Sequence, residues 1–247
     1  MNKSALSAEE LVGIWEERRE IKNLMGRYAV SFLLKREKDM FADFWSGRED
    51  VSMGMNNGWY VGREAIAEWF SAIHSATEKK AALLKADLPD KLGNKTAAEI
   101  FGIGDFDVKP LGTPVIELAD DLQTAKGMWY SQGSKADVTE SGPVSYWTFG
   151  VFCVDFILEN GAWKIWHLQY LEDVKCLCGQ SWAEPSKPFP ELEAYAELKD
   201  EKLPEPTVKA ALYTPYSPKR PMARLPKLPE PYKTFAETFS YGYEKEA

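Results

Sequence analysis

The first third of the chain has the apolar spacing of amphipathic helices. Ser7 and Glu10 form the pattern of a capping box, which marks the start of a helix. Apolar residues then recur at every third or fourth position as far as Phe32. The same spacing predicts a second helix over residues 37–45 and a third over 62–84.

Short stretches with strand character follow these helices. Asn57-Gly58 is the strongest hairpin signal in the chain, and it predicts paired strands over 51–55 and 59–61. Further strands are predicted over 113–118, 124–131, 146–158 and 163–171, with Asn160-Gly161 as a turn between the last two. Residues 86–109 and 132–143 are polar, and we expect long loops there, the first a candidate lid.

The composition changes after Gly179. Eleven of the fifteen prolines lie between Pro185 and Pro231, yet this region is also rich in aromatic residues. We therefore predict two parts. Residues 1–180 form a domain, and residues 181–247 form an extended, proline-rich arm that packs on this domain or on a partner subunit.

Composition narrows the range of partners and locations. The chain has 30 basic and 38 acidic residues and a net charge of −8, which argues against binding nucleic acid or an anionic membrane surface. No apolar run approaches the roughly 20 residues of a membrane helix. Three cysteines without a framework pattern suit a reducing compartment, so we expect a cytoplasmic protein. Two separated histidines predict no metal site, and no cofactor motif is found.

Several short segments, in this order, resemble those of the SnoaL-like, or nuclear-transport-factor-2-like, superfamily. They are Arg27-Tyr28-Ala29, Asp50-Val51, residues 62–66, 113–117 and 124–129, Asp155, Asn160-Gly161 and Trp163-Lys164-Ile165. The resemblance implies an α+β fold: three N-terminal helices packed in the concavity of a strongly curved antiparallel sheet, forming a cone. The mouth of such a cone admits small aromatic or polycyclic molecules, and members often form homodimers. We therefore expect a small hydrophobic ligand and a homodimer.

The resemblance also indicates where catalytic groups would lie. The helix aspartate of the family's dehydratases and dehalogenase falls at Leu33, and their strand histidine falls near Lys109, so that pair is missing here. Tyr28 and Asp155 match the two hydrogen-bond donors of the family's isomerases, and His167 lies on the last strand. We expect Tyr28 and Asp155 to polarise a ligand oxygen and His167 to transfer protons.

Each of these residues also has a structural interpretation. Tyr28 fits a core position, Asp155 can pair with Arg27, Lys126 or Lys164, and a buried His167 can have a structural partner. The apolar residues expected to line the pocket are Trp45, Met53, Met55, Tyr60, Trp129 and Trp147. The predicted function is a cofactor-independent isomerase, cyclase or lyase acting on a hydrophobic aromatic or polycyclic carbonyl compound. The alternatives are a non-catalytic ligand-binding or carrier domain and a dimeric assembly module.

Overall fold

The computed structural model describes residues 6–139, 142–183, 203–209, 215–219, 221 and 226–237. Within these ranges the helices are α1 (Ala8–Leu33), α2 (Glu37–Phe44), α3 (Arg63–Asp87), α4 (Pro89–Leu92) and α5 (Ala97–Ile100). The strands are β1 (Ser52–Met55), β2 (Gly58–Val61), β3 (Phe106–Val108), β4 (Val115–Leu118), β5 (Thr124–Thr139), β6 (Gly142–Glu159), β7 (Ala162–Leu177) and β8 (Val208–Lys209).

Local sequence signals explain how the N-terminal elements begin and end. The capping box predicted at the start of α1 is confirmed: the Glu10 amide donates to the Ser7 hydroxyl, and the Ser7 amide donates to the Glu10 carboxylate. The Asn57-Gly58 hairpin is also confirmed, because β1 and β2 pair antiparallel with Met55 opposite Gly58.

The strands form one open sheet in the order β3-β5-β6-β7-β1-β2-β8, and β4 also pairs with β5. Only the β1–β7 pairing among the described strands is parallel. The β6–β7 register shifts at Phe149/Gly150 and at Asp155/Phe156. Such irregularities bend and twist long strands, so they contribute to the curvature of the sheet. The α+β class with helices against a curved sheet agrees with the prediction.

The register separates the two faces of the sheet. Residues directly opposite each other on paired strands share a face. The Tyr60 ring lies 6.2 Å from the ring of Trp69 on α3, so the row through Tyr60, Met53 and Leu168 faces the helices. We call this the helix face and the opposite side the outer face.

The prediction of a long loop is wrong for two segments. Residues 86–109 contain α4, α5 and β3, and residues 132–143 belong largely to the ends of β5 and β6. These strand ends carry polar or small residues on the helix face, as at Ser131, Gly133 and Lys135. The apolar alternation that marks a half-buried strand is therefore absent there.

The described parts of the C-terminal extension contact the domain. Strand β8 pairs with β2, and the Tyr60 hydroxyl donates to the Pro204 carbonyl. Residues 226–237, which we call the strap, are joined to the β4–β5 turn because the Asp120 amide donates to the Tyr232 carbonyl. In the described ranges, every helix is too short or too polar to cross a bilayer.

Candidate functional site

Two of the predicted catalytic residues lie on the outer face. Lys126, Asp155, His167 and Ser52 stand opposite one another on β5, β6, β7 and β1. The Lys126 ammonium donates to Asp155 Oδ1 at 2.6 Å, and Ser52 Oγ lies 2.9 Å from His167 Nδ1 in a hydrogen bond. All four side chains are buried.

The strap covers this polar row. The Phe235 ring lies 4.2 Å from the Trp166 ring and 6.0 Å from the His167 ring, and the Lys126 ammonium lies 5.1 Å from the Phe235 centroid. Burial lowers the pKa of His167, which favours its neutral form. Asp155 and His167 thus face the strap and not the helices, so the expectation that they act on a ligand inside the cone is not met.

Tyr28 is on the helix side, within the core. Its ring contacts those of Phe32 at 6.1 Å and Phe44 at 5.7 Å. Burial raises the pKa of the Tyr28 hydroxyl, so the neutral phenol is the stable form. A donor role for Tyr28 stays a prediction.

The residues predicted to line the pocket lie on both faces of the sheet. Met53, Tyr60 and Trp129 are buried on the helix face, and Trp45 is buried beside Ile165. Met55 shares the face of Met53 and is partly buried. Trp147 is the exception among the residues predicted to line the pocket. It lies on the outer face and is 39% exposed, because Thr148 occupies the helix face at that point of β6.

Polar residues replace the apolar ones along the helix face of β5, β6 and β7. Three successive rows run across these strands, and we call them together the inner site. The rows are Trp129–Phe152–Tyr170, then Ser131–Gly150–Glu172, then Gly133–Thr148–Lys175. The site therefore changes from aromatic to hydroxyl-bearing and charged side chains within three rows.

Three hydroxyls of the inner site are buried without a hydrogen-bond partner among the described residues. They belong to Ser131, Thr148 and Tyr170. The Tyr170 and Thr148 hydroxyls are neighbours, but the geometry between them falls short of a hydrogen bond. Buried hydroxyls in native proteins are nearly always paired, so this cluster is exceptional.

Two glycines make room for these hydroxyls. A Cβ at Gly133 would lie 2.7 Å from Thr148 Oγ1, and a Cβ at Gly150 would lie 2.9 Å from the Tyr170 hydroxyl oxygen. Each distance is shorter than a normal contact, and both glycines also have backbone carbonyls nearby. Any larger residue at these positions would displace the hydroxyls.

Lys109 contributes a cation to the same site. Its ammonium lies 5.6 Å from the Phe32 centroid on α1 and 5.7 Å from the Tyr170 centroid on β7, and it is paired with Asp107. These distances are typical of cation–π contacts. Lys109 thus lies between the first helix and the sheet, in the stretch where the family's strand histidine was expected.

Burial shifts the pKa values of two charged residues near Lys109. Burial raises the pKa of the Glu172 carboxyl, and the neighbouring Lys175 and Lys109 oppose this effect. Burial also lowers the pKa of Lys135, which lies opposite Asp107 in the next row. Both residues are therefore held closer to their neutral forms, as is common where protons are exchanged or polar ligands are bound.

Sequence reasoning missed the inner site, although a signal existed. Positions 129, 131 and 133 alternate along β5, and 148, 150 and 152 alternate along β6. Once these positions are assigned to one face, the two glycines and the hydroxyls between them fall together. Among the described residues, no group of three His, Cys, Asp or Glu side chains could hold a metal ion.

Comparisons with known proteins bear on the fold. The sequence profile of the SnoaL-like domain matches residues 14–169. No match was found among curated protein sequences. Several solved structures are similar at low identity.

An NTF2-like protein with a cystatin-like fold from Novosphingobium aromaticivorans is 15% identical, with 66% of this chain and 86% of that chain covered and a TM-score of 0.44. The hexachlorocyclohexane dehydrochlorinase LinA-type3 from Novosphingobium barchaimii is 14% identical, with 70% and 99% covered and a TM-score of 0.46. A protein from Kribbella flavida is 12% identical, with 66% and 95% covered and a TM-score of 0.48.

Proposed function

Because the chain belongs to the SnoaL-like domain family, we propose that it binds a small molecule with an aromatic or polycyclic body and a carbonyl or phenolic oxygen at the inner site. The observation that supports this most strongly is the cluster of three buried hydroxyls for which the described residues provide no hydrogen-bond partner. A ligand oxygen accepting from Tyr170 and Thr148 would satisfy groups that are otherwise costly to bury.

The two ends of the inner site suit the two ends of such a ligand. Trp129 and Phe152, with Phe32 on α1, offer aromatic surface for a flat apolar body. Lys109 and the Tyr170 hydroxyl offer positive charge and a donor for the oxygen. In a site shielded from water these donors would favour a ligand oxygen that carries or develops negative charge.

Proton transfer is the chemistry that this arrangement would support. Glu172 lies one row from Tyr170 on the same strand and face, and burial raises its pKa, which makes the carboxylate a stronger base than an exposed glutamate. With Tyr170 polarising a carbonyl, Glu172 would remove a proton from the adjacent carbon, as an isomerase or lyase requires. Glu172 thereby takes the role first given to His167.

Non-catalytic binding is the second candidate. It is favoured by the outer-face position of Asp155 and His167, which leaves fewer acid–base groups beside the ligand. Product analysis separates the two functions: an unchanged ligand recovered after long incubation supports binding alone. Loss of turnover in Glu172→Gln with retained binding supports catalysis.

The binding proposal is tested by titration calorimetry with 2-naphthol, with naphthalene as the ligand that lacks the oxygen. We expect Tyr170→Phe to weaken 2-naphthol binding about tenfold, or about 1.4 kcal/mol, and to leave naphthalene binding unchanged. Tyr130→Phe is the matched control, because Tyr130 lies on the outer face of β5 and is 53% exposed.

The same variant has a second measurable effect. Since the Tyr170 hydroxyl has no hydrogen-bond partner in the part of the chain that the structure describes, Tyr170→Phe should raise the free energy of unfolding of the ligand-free protein by about 1 kcal/mol. A gain in stability together with a loss of binding is typical of a ligand-binding group. Equal binding of 2-naphthol by both variants, or a less stable Tyr170→Phe protein, would refute the proposal.

A further inference from the structure

Solvent exposure increases along the inner site, from the buried Trp129 to the exposed Lys175. The exposed end is basic, because the partly buried Lys109 and Lys135 lie there as well. We call these three lysines the basic end. We propose that the ligand of the inner site is an aromatic keto acid whose carboxylate binds at the basic end. This inference rests on the function proposed above and narrows its ligand class.

The strand register brings Lys135 and Lys175 to the same face of the sheet. Lys175 is in the row of Thr148, and Lys135 is one row further, opposite Tyr146 on β6. The Lys175 ammonium lies 5.7 Å from the Tyr146 ring centroid. Since β5 and β7 flank β6, the two lysines lie on either side of Tyr146, and one carboxylate between them can pair with both.

The aspartates near the basic end are already paired. Asp105 and Asp137 both accept from Lys80, and Asp107 accepts from Lys109. The negative charge of these three side chains is therefore largely compensated before a ligand binds.

Lys135 carries positive charge that these pairs do not compensate. In the described ranges no carboxylate forms an ion pair with its ammonium. Burial lowers the pKa of Lys135, Asp107 opposes this effect, and three neighbouring lysines add to it. Because cations close together in a partly buried site repel one another, an anion that binds among them relieves the repulsion.

Glu172 does not remove this positive charge. Burial raises the pKa of its carboxyl, and the three lysines of the basic end oppose the effect. As the proposed base, Glu172 becomes neutral whenever it takes up a proton, which leaves the lysines uncompensated. A ligand carboxylate stays ionised during that step, so it stabilises the lysines in both protonation states of Glu172.

The spacing of the rows relates the carboxylate to the carbonyl. The Tyr170 hydroxyl lies beside Gly150, which is in the row of Ser131. Lys135 is four residues further along β5, at about 13 Å, and a lysine side chain of about 6 Å covers part of this distance. A carboxylate joined to the carbonyl by a short carbon chain therefore reaches the Lys135 ammonium.

Titration calorimetry with two ketones tests the carboxylate site. The first, 4-(2-naphthyl)-4-oxobutanoate, has the rings, the carbonyl and the carboxylate. The second, 1-(2-naphthyl)butan-1-one, has a methyl group in place of the carboxylate. We expect the wild type to bind the keto acid about tenfold more tightly than the neutral ketone.

Lysine variants locate the source of this preference. Lys135→Gln should reduce it to less than about threefold and leave binding of the neutral ketone unchanged. Lys175→Gln, at an exposed position, should reduce it as well, so the test does not depend on one variant. Lys209→Gln is the matched control and should keep the full preference, because Lys209 is exposed on β8 at the opposite edge of the sheet.

The outcomes separate this proposal from the function on which it rests. Tyr170→Phe should weaken binding of both ketones, since both contain the carbonyl. If the wild type binds neither ketone, the proposed function fails and the carboxylate site fails with it. If the neutral ketone binds but the keto acid binds no more tightly, or if Lys135→Gln and Lys175→Gln keep the full preference, the carboxylate site alone is overturned.

Discussion

The Lys126–Asp155 pair shows how the environment decides the role of a charged residue. Both side chains are almost fully buried beneath Phe235, and they are joined at 2.6 Å. Removing one member of a buried pair leaves the other charge uncompensated, which costs far more than the pair itself contributes. We therefore expect a structural role for Asp155 on the outer face.

We expect Lys126→Met to lower the free energy of unfolding by about 3 kcal/mol. The double variant Lys126→Met/Asp155→Leu should recover most of this loss, because no unpaired charge remains. Urea unfolding of the three proteins measures the difference. A single variant as stable as the wild type would show that the pair is not buried as described.

Asp173 gives a pH dependence that can be isolated by mutation. It is buried on β7, and burial raises its pKa from 3.8 to about 6. Between these two pH values the folded chain holds more protons at this site than the unfolded chain does. The contribution of Asp173 to stability therefore falls as the pH rises from about 4 to about 6, and it stays lost above pH 6.

Asp173→Asn should remove this dependence and stabilise the protein at pH 8 by about 2 kcal/mol. The difference between variant and wild type, measured by urea unfolding from pH 4 to 8, should grow with pH. A difference that is constant with pH would contradict the shifted pKa.

At the residue scale, the sequence predicted which residues could pair better than it predicted the face of the sheet on which they lie. It identified Lys126 as a possible partner of Asp155, and the structure contains that pair. It could not show which face Asp155 and His167 occupy, because β7 is apolar on both faces and the register shifts at Asp155/Phe156. A single extra residue in a strand reverses every later orientation.

The strap is the element with the clearest energetic role. Phe235 closes the row of Lys126, Asp155 and His167, and Tyr232 is buried beside it. The aromatic residues of the C-terminal extension were the sequence feature that predicted an ordered arm. Its contacts could not be predicted, because they depend on outer-face residues of β5 and β7 that are distant in the sequence.

Phe235→Ala should lower the free energy of unfolding by about 2 kcal/mol, since the contacts of a partly buried aromatic ring are removed. It should also raise the pKa of His167 toward 6.5, because the burial that lowers it is relieved. Leu228→Ala in the same strap is the control, as Leu228 is 64% exposed. Denaturation and an NMR titration of His167 measure both effects, and equal values for the two variants would contradict this role of the strap.

Helix positions and the two hairpin signals could be predicted because each depends on local spacing and turn residues. The strand ends over 132–139 and 142–145 could not, because Gly133 and Lys135 lie on the helix face, where apolar residues would mark a half-buried strand. Functional residues are expected to violate local folding rules in this way. The segment 132–143, for which the loop prediction was wrong, includes Gly133 of the inner site.

At the scale of the whole molecule, the two faces of the curved sheet differ in composition and in what covers them. The strap covers a buried charged row on the outer face. The helix face passes from an aromatic core to hydroxyls that have no hydrogen-bond partner within the described ranges. The family resemblance predicted the α+β fold with its curved sheet, and we propose Tyr170, Thr148 and Glu172 for the chemistry first assigned to Asp155 and His167.

The most direct test of this account is a crystal structure of the protein soaked with 2-naphthol. We expect the naphthol oxygen within about 3 Å of the Tyr170 or Thr148 hydroxyl, and its rings against Trp129 and Phe152. Naphthol bound only on the outer face, or an inner site filled by repacked side chains in the complex, would contradict the central claim.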